Sequence, residues 1–461
     1  MCSILGAVLH DVDNNTKRRQ VNAILDYIWT TSQERGRDGR GYVSFDSFGH
    51  SGDFVFHSEE RRDPTRCSSV DLNAPMVMGL CPRMTVVGNM RAEPTTEYVS
   101  VKRRSDQQPY TCGGWSIVHN GTIANDKELR THALPTSIDS ASIAELLAPM
   151  RPTLDNFAGV IRKLKGSFAI LATHENCQTS IFVAANYRPI WYIETEFGYF
   201  FASARNYLPI AWAPRMLTPY TVAEFGECVR SFPLYKSEQS DTALVVCSGG
   251  LDSVVSAAYA QKKLGYKLHL IHFLYGSRAE GPEVIAVRAV ARALGAEITL
   301  FPLPVYQKGD SPLLDPDSKV AGGEAGAEFA HEWVPARNLL LLSVATAFAE
   351  ARGISVIVLG NNLEEAGAYP DNEPEFIAKF NDLLPFAVGD GKRMKVIMPV
   401  GNMMKHEIVA LGKEVGAPME LTWSCYRAGE LHCGKCGPCF MRRRAFEING
   451  FPEVIQYKDQ Q

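Results

Sequence analysis

Four cysteines near the end of the chain, Cys425, Cys433, Cys436 and Cys439, follow the spacing C-x7-C-x2-C-x2-C. A C-x-x-C turn presents two thiolates together, and zinc accepts four in a tetrahedron. Any fold of this chain must therefore bring residue 425 and residues 433–439 to one point. Four protein ligands leave no open coordination position, so the expected Zn2+ is structural. A disulfide pair, an iron–sulfur site and plain buried thiols are the competing readings. The spacing, with the cytosolic setting expected below, favours zinc.

With 461 residues the chain exceeds one ordinary core, and two domains are expected. A composition of 46% hydrophobic and 21% charged residues is that of a globular protein. The formal net charge of -4 argues against a uniformly basic nucleic-acid binder but leaves room for a local basic face. Lys102-Arg103-Arg104 and Arg442-Arg443-Arg444 read as solvated faces. Cys2 and Asp11 sit where a leader would need a basic start and an apolar run, and no long apolar span follows. The expectation is a cytoplasmic protein with no membrane partner. In that compartment Cys67, Cys81, Cys112, Cys177, Cys228 and Cys247, which show no paired spacing, read as buried small hydrophobes.

Residues 2–228 read as strand-rich. Short apolar or alternating runs at Ser3 to His10, Tyr42 to Phe48, Thr85 to Asn89, Trp115 to His119, Phe168 to Thr173, Ile181 to Ala185 and Tyr199 to Ala202 predict strands. Val21 to Thr31 and Ser140 to Met150 read as helices, the second capped by Asp139 or Ser140. This is an α+β pattern. From residue 241 to 461 strand and helix alternate. Strands are expected at Thr242 to Cys247, Lys267 to Phe273 and Ser355 to Leu359, and helices at Ser253 to Leu264, Gly281 to Leu294, Leu339 to Ala351 and Lys405 to Val415. Such alternation implies a parallel α/β sheet covered by helices. Arg230 to Ser240, with Pro233 and a polar Ser237-Glu238-Gln239-Ser240, reads as the linker.

Ser248-Gly249-Gly250-Leu251-Asp252-Ser253 follows an apolar strand and opens a helix. Its glycines allow close approach to an anion, and the helix N-terminus supplies free N–H groups. It is neither a Walker A loop nor G-x-G-x-x-G. A bare Gly-Gly pair would be only a strand-to-helix turn, but the whole string resembles the PP-loop ATP pyrophosphatases, which transfer AMP to a carbonyl oxygen. Val334-Pro335-Ala336-Arg337-Asn338-Leu339, Gly360-Asn361, Ala368-Tyr369-Pro370-Asp371, Lys405-His406-Glu407-Ile408 and Thr422-Trp423-Ser424-Cys425-Tyr426 extend the resemblance, in order, to 7-cyano-7-deazaguanine synthase (QueC-like) domains over about residues 241 to 455. That resemblance implies ATP binding by Ser248, Gly249, Gly250, Leu251, Asp252, Ser253 and Gly360, with Mg2+, and contacts to the base from Arg337, Asn338, Tyr369 and Asp371. It also implies the structural zinc on the four cysteines. Two departures fall near the expected pocket. Tyr275-Gly276-Ser277-Arg278-Ala279 replaces a Tyr-Gly-Gln-Arg-His string, and Asn372-Glu373 stands where Cys-Arg is frequent.

The N-terminal half opens with Met1-Cys2. Loss of Met1 would leave a cysteine whose own α-amine can act as base for its thiol. Arg35-Gly36-Arg37-Asp38-Gly39, Asn89 to Glu97, Val118 to Asn125, Ser137 to Ser140 and Gly166 to Ala169 occur in the order seen in class II glutamine amidotransferases of the Ntn type, which this half resembles over about residues 2 to 215. The resemblance implies Cys2 as nucleophile and an oxyanion hole from Asn120 and Gly121. It further implies a glutamine site of Arg91, Thr95 and Asp139. Read alone, Asn120-Gly121 would be a hairpin turn and Asp139 a helix cap. Ser3 replaces a common glycine and Ala141 a common glutamate.

The two halves together resemble the fusion family of archaeosine synthases and imply a place in queuosine or archaeosine biosynthesis. The expected reaction is ATP- and glutamine-dependent amidation at C7 of a 7-carboxy- or 7-amido-7-deazaguanine through an acyl-adenylate. One alternative is archaeosine-type conversion of a 7-cyano group in tRNA or DNA to an amidine. Another is conjugation of the activated carboxylate to an amine of a partner protein, with the N-terminal half as recognition module. A non-catalytic interaction protein fits poorly with the intact phosphate loop. A homodimer is expected.

Overall fold

In the computed structural model the chain divides into two compact units, Met1–Lys236 and Ser237–Gln461. Described are residues 2–35, 39–46, 49–57, 80–91, 104–130, 134–235, 240–320, 322, 332–366, 369–389, 393–427 and 429–458. Thr95, Cys67, Lys102-Arg103 and part of the expected linker lie outside the described residues.

The strands of the first unit are β1 (Ser3–Val12), β2 (Gly39–Asp46), β3 (Gly49–His57), β4 (Cys81–Arg91), β5 (Tyr110–Cys112), β6 (Trp115–Ile123) and β7 (Gly166–His174). After them come β8 (Cys177–Ala185), β9 (Trp191–Thr195), β10 (Gly198–Ala202), β11 (Arg215–Met216), β12 (Thr221–Phe225) and β13 (Arg230–Pro233). The helices are α1 (Asn15–Ser32), α2 (Asp126–Leu129), α3 (Ala141–Leu147) and α4 (Leu154–Ile161). Two antiparallel sheets result, ordered β11-β9-β10-β1-β4-β2-β3 and β13-β12-β8-β7-β6-β5. Alternation along β1 decides the layering. Leu5, Ala7 and Leu9 pack on α1 through Leu25 and Ile28, while Ile4 and Val8 meet Val118, Leu171 and Val183 of the second sheet. The outer face of that sheet, with Ile117 and Ile170, packs on Leu147 of α3 and Phe157 of α4. The unit is thus four layers deep, helices outside two sheets. Because β1 is covered on both faces, its stretch from Ile4 to Leu9 reads as an apolar run without polar alternation.

Several expectations need correction here. Helix α1 begins at Asn15, well before Val21, because the side chain of Asn14 caps it by accepting from Lys17 N at 2.9 Å. Apolar periodicity could not reveal that polar first turn. The helix expected over Ser140 to Met150 is shorter, Ala141–Leu147. Arg230–Pro233 is not linker: it pairs with β12 as an edge strand, and the unit continues past 228 to Lys236. Of the cysteines expected to be buried, Cys247 is, whereas Cys112 and Cys228 are exposed and Cys177 is half-buried.

The second unit has one five-stranded sheet, β14 (Thr242–Val246), β15 (Lys267–Leu274), β16 (Glu297–Pro302), β17 (Val356–Val358) and β18 (Lys395–Ile397), ordered β16-β15-β14-β17-β18 and parallel throughout. Its helices are α5 (Leu251–Lys262), α6 (Glu280–Leu294), α7 (Arg337–Ala351), α8 (Leu363–Ala366), α9 (Pro374–Ala387), α10 (Lys405–Val415) and α11 (Gly437–Ile448). One core lies between the sheet and α5, α6 and α10, the other between the sheet and α7 and α9. Successive strands run outward from β14 on both sides. The direction of winding therefore reverses between β14 and β17, and the crevice beyond the carboxyl ends of these strands is where such sheets bind ligands. The expected strands and helices over 242–294 are present within a residue or two, because each is bounded by local turn and cap signals. The short edge strand β18 and the amphipathic α9 were not anticipated.

Candidate active site

The chain leaves β14 at Val246 and enters α5 at Leu251. Between them the loop holds itself in place. Gly250 N donates to Ser248 Oγ at 3.2 Å, and Ser253 Oγ donates to Gly250 O at 3.0 Å. Gly360, just past β17, presses against this loop: a Cβ there would sit 2.5 Å from Ser253 N and Cα. Only glycine permits that approach. Asp252 Oδ2 accepts from Lys405 Nζ at 2.5 Å and from Asn362 Nδ2 at 3.2 Å. The N-terminus of α5 thus meets the crevice with its free N–H groups, next to a largely buried lysine.

A cavity of about 220 Å³ opens over the loop. Ser248, Gly250, Asp252, Ser253 and Gly360 line one side, and Arg337 and Asn338 line another. Asn338 is held by Asp371, whose Oδ2 accepts from Asn338 N at 3.0 Å. Tyr369 stacks on Trp333 with ring centroids 6.2 Å apart. Neither Tyr369 nor Asp371 is on the cavity wall, so of the four residues expected to touch the base, two face the space and one supports them.

Sequence reasoning passed over other residues of the wall. Lys405 was seen as part of a motif, not as a cation on the loop. Glu283 lies beside the loop, its backbone oxygen 3.0 Å from where a Cβ on Gly249 would sit; its side chain accepts from Ser277 Oγ at 3.0 Å, and burial pushes its pKa up to about 7. His272, at the end of β15, is 3% exposed and contacts Cys247 O through Nδ1 at 2.9 Å. No sequence signal marked Glu283 or His272, since each looks like one more polar residue in a helix or strand.

The four cysteines do converge. Their sulfurs all lie within 4.8 Å of one another, and those of Cys433 and Cys439 are 4.0 Å apart. A zinc–sulfur bond of about 2.3 Å places tetrahedral sulfurs roughly 3.8 Å apart, so the cluster could hold a metal ion. Backbone N–H groups of Arg427 and Cys433 point at Cys425 Sγ (3.3 and 3.4 Å), and those of Lys435 and Cys436 at Cys433 Sγ (3.4 and 3.3 Å). Such donors favour the thiolate, and thiol hydrogen bonds from Cys436 and Cys439 pull Cys425 down to about 4. The cluster also fixes the strand of chain before it. Trp423 N donates to Gly249 O at 2.8 Å, and Ser424 N to His432 Nε2 at 2.9 Å. Arg442, expected on a solvated face, is 1% exposed. It donates to Thr422 Oγ1 at 2.5 Å, to Met419 O at 3.0 Å and to Glu453 Oε1 at 3.3 Å, which replace its water. Arg444 in the same run is exposed.

In the first unit Cys2 stands immediately before β1 and is half-buried. Alternation carried one residue beyond β1 puts it on the side of Ile4, facing the second sheet. Asn89 and Arg91 share that side of β4 with Val87, and Asn120 shares that side of β6 with Val118. Register sets Ser3 opposite Met90, next to Arg91. Asn89 Nδ2 donates to Ser3 O at 3.3 Å and Arg91 Nη1 to Asp106 O at 2.5 Å. Gly121 has φ +154°, and a Cβ there would lie 1.9 Å from Ser167 O. So Asn120-Gly121 is no hairpin turn but part of a continuous strand paired with Ala169 and Phe168. Asp139 is not a simple helix cap either. Its Oδ2 accepts from Ile123 N at 2.5 Å, and its Oδ1 from Ser140 N at 2.7 Å. Ser140, at the cap position, makes no capping bond; its Oγ lies 2.7 Å from His119 Nδ1. Cys2 and Arg91 thus stand at the paired ends of β1 and β4, and Asn120 and Gly121 stand in β6, whose Ile123 N donates to Asp139 on the loop before α3.

A sequence family described as queuosine biosynthesis protein QueC matches residues 242–450, and one described as glutamine amidotransferase domain matches residues 95–209. A 7-cyano-7-deazaguanine synthase of Sulfolobus acidocaldarius is 38% identical over 99% of this chain and 100% of its own length. The chain belongs to the 7-cyano-7-deazaguanine synthase family. Within that family a relative from Saccharolobus solfataricus is 39% identical over 100% of both chains. One from Methanothrix thermoacetophila is 42% identical over 47% of this chain and 98% of its own. The family thus includes relatives of this chain's full length, and others of about half of it. This member joins a glutamine amidotransferase domain to a QueC domain, as the sequence resemblance implied. Among the described residues no helix is long and apolar enough to cross a membrane.

Proposed function

We propose that this protein uses ATP and glutamine to convert the carboxylate at C7 of a 7-deazaguanine first to an amide and then to a nitrile. The carboxylate oxygen attacks the α-phosphorus of ATP and pyrophosphate leaves. Ammonia then attacks the acyl-adenylate carbon, loses a proton, and AMP departs with the former carboxylate oxygen. A second adenylation of the amide oxygen, followed by loss of the N–H protons and AMP, leaves the nitrile. The observation that carries the reading is the cavity in which the phosphate loop, with Lys405 on Asp252, faces Arg337 and Asn338.

In this reading Ser248 to Ser253 and Gly360 hold the phosphates, with Mg2+, and the N-terminus of α5 supplies the positive end of its dipole. Arg337 and Asn338 orient the base. Asp371 positions Asn338, while Tyr369, stacked on Trp333, lies off the cavity wall. The four thiolates hold one Zn2+, whose part is to pin residues 419–426 against the loop. In the first unit Cys2 attacks the glutamine side-chain carbonyl, and Asn120 with the Gly121 N–H stabilises the oxyanion. Arg91, Thr95 and Asp139 hold the glutamine backbone; the oxygens of Asp139 keep lone pairs for its ammonium. One chain carrying both activities raises the effective concentration of ammonia.

The test is mass spectrometry of products from 7-carboxy- and from 7-cyano-7-deazaguanine, each with ATP and glutamine. Amide and nitrile from the acid, with two AMP per nitrile, are expected. Amidine from the nitrile, in free base, tRNA or DNA, without nucleotide consumption would overturn the reading. So would transfer of the acid to a protein amine.

A further inference from the structure

His119 stands in β6 directly before Asn120, on the face turned away from the other sheet. Gln108 fixes its main chain. Gln108 Oε1 accepts from His119 N at 2.6 Å, and Gln108 Nε2 donates to His119 O at 3.0 Å. The ring is 1% exposed and meets two partners. Nε2 is 3.3 Å from Ser167 O, and Nδ1 is 2.7 Å from Ser140 Oγ. A carbonyl only accepts, so the neutral ring carries its proton on Nε2 and offers a lone pair at Nδ1. Ser140 Oγ then donates to that lone pair.

Ser140 has one hydroxyl proton and two claimants for it, because its Oγ is also 3.1 Å from Asp139 Oδ1. While His119 is neutral it takes this proton, and Asp139 Oδ1 keeps the bond from Ser140 N at 2.7 Å. Once His119 is protonated, Nδ1 becomes a donor to Ser140 Oγ, and the hydroxyl turns to Asp139. The carboxylate then faces an imidazolium through a single oxygen. Asp139 is half-buried whereas His119 and Ser140 are buried, so a ligand meets this chain of groups at its carboxylate end. We propose that neutral His119 is a positioning residue for glutamine, drawing the Ser140 proton away from Asp139 and leaving that carboxylate to the α-ammonium. This rests on the reading that Asp139 holds the ammonium. Two cations compete for one carboxylate, so each weakens the binding of the other. Burial holds the imidazole below its ordinary pKa of 6.5; of the charged groups around it, Asp139 favours the proton and Arg188 opposes it. The competition therefore sets in on the acid side of neutrality.

Glutamine hydrolysis by the full chain without ATP, compared at pH 7.5 and pH 5, tests this. KM carries the result, since protonation of the nucleophile acts on kcat. The wild-type KM for glutamine should rise roughly tenfold at pH 5, an ordinary size for two coupled sites. Glutaramate, which is glutamine without its α-ammonium, should inhibit no more weakly at pH 5 than at pH 7.5. His119→Asn offers Ser140 an amide oxygen that takes up no proton, so its KM should no longer depend on pH. At pH 7.5 that KM should lie below the KM of His119→Ala, in which the Ser140 proton returns to Asp139. A wild-type KM that does not change, or glutaramate weakened in parallel with glutamine, overturns the proposal even if neither His119 variant folds. A pH dependence that survives in His119→Asn, as a purely structural role would allow, also overturns it. Asp139→Asn separates the two readings. If it raises KM while the wild type shows no pH dependence, the glutamine site stands and only the role of His119 falls. An unchanged KM in Asp139→Asn, or no hydrolysis by the wild type at either pH, sinks both.

Discussion

The backbone N–H of Trp423 meets the carbonyl of Gly249 at 2.8 Å, so the segment leading into the four-cysteine cluster is fastened directly to the phosphate loop. A metal held by the four cysteines would thereby help to set the shape of the loop.

That connection predicts a double effect of Cys436→Ser. The purified wild type should carry about one equivalent of zinc, and the variant should lose it together with several kcal/mol of stability, since metal binding of this kind is folding free energy. ATP affinity should fall with it as Trp423 is released. Metal analysis and thermal melting check the first part and nucleotide titration the second. A metal-free variant with wild-type melting and ATP binding would show that the cluster supports nothing.

Gly360→Ala should damage ATP use selectively. Its Cβ would sit 2.5 Å from the backbone of Ser253, and neither partner is a flexible side chain that could yield. An increase of about tenfold or more in the KM for ATP is expected, from a clash of a few kcal/mol. Glutamine hydrolysis measured without ATP should remain at the wild-type rate.

Cys2→Ala should abolish product formation from glutamine and leave formation from ammonium salts, because only the nitrogen source passes through that thiol. Product assays with each source decide it. Equal activity of the variant with both would mean that the first unit is not the ammonia source.

Glu283 should impose a pH slope on stability. Its ordinary pKa of 4.5 rises to about 7, chiefly through burial, with Ser277 and Arg337 pulling downward and Glu280 upward. Between these values the folded chain still holds a proton that the unfolded chain has released. Stability therefore falls as pH rises from about 4.5 to about 7 and stays low above it, by on the order of 3 kcal/mol. Glu283→Gln should flatten this slope and be the more stable protein at pH 8. Urea denaturation at pH 5 and pH 8 measures both; parallel slopes in wild type and variant would remove the effect.

What the sequence alone determined is local. The phosphate loop lies on six consecutive residues between a strand and a helix, and three of the cysteines fall within seven residues; such contacts are set by chain geometry at short range. The α/β alternation after residue 241 belongs here too, because each strand and helix carries its own period. What only the tertiary structure decided depends on partners far along the chain. Lys405 reaches Asp252 across 153 residues, and nothing in either segment marks the pairing. Arg442 and Arg444 are equivalent in a run of three arginines, yet one is buried among Thr422, Met419 and Glu453 while the other is exposed. Asn120 acquires its place from strand parity: it stands on the side of Val118 that faces the other sheet, while His119 beside it turns toward Ser140. Burial and hydrogen-bond completion are properties of the assembled sheet, so a polar residue becomes a site only when the strands around it are in register.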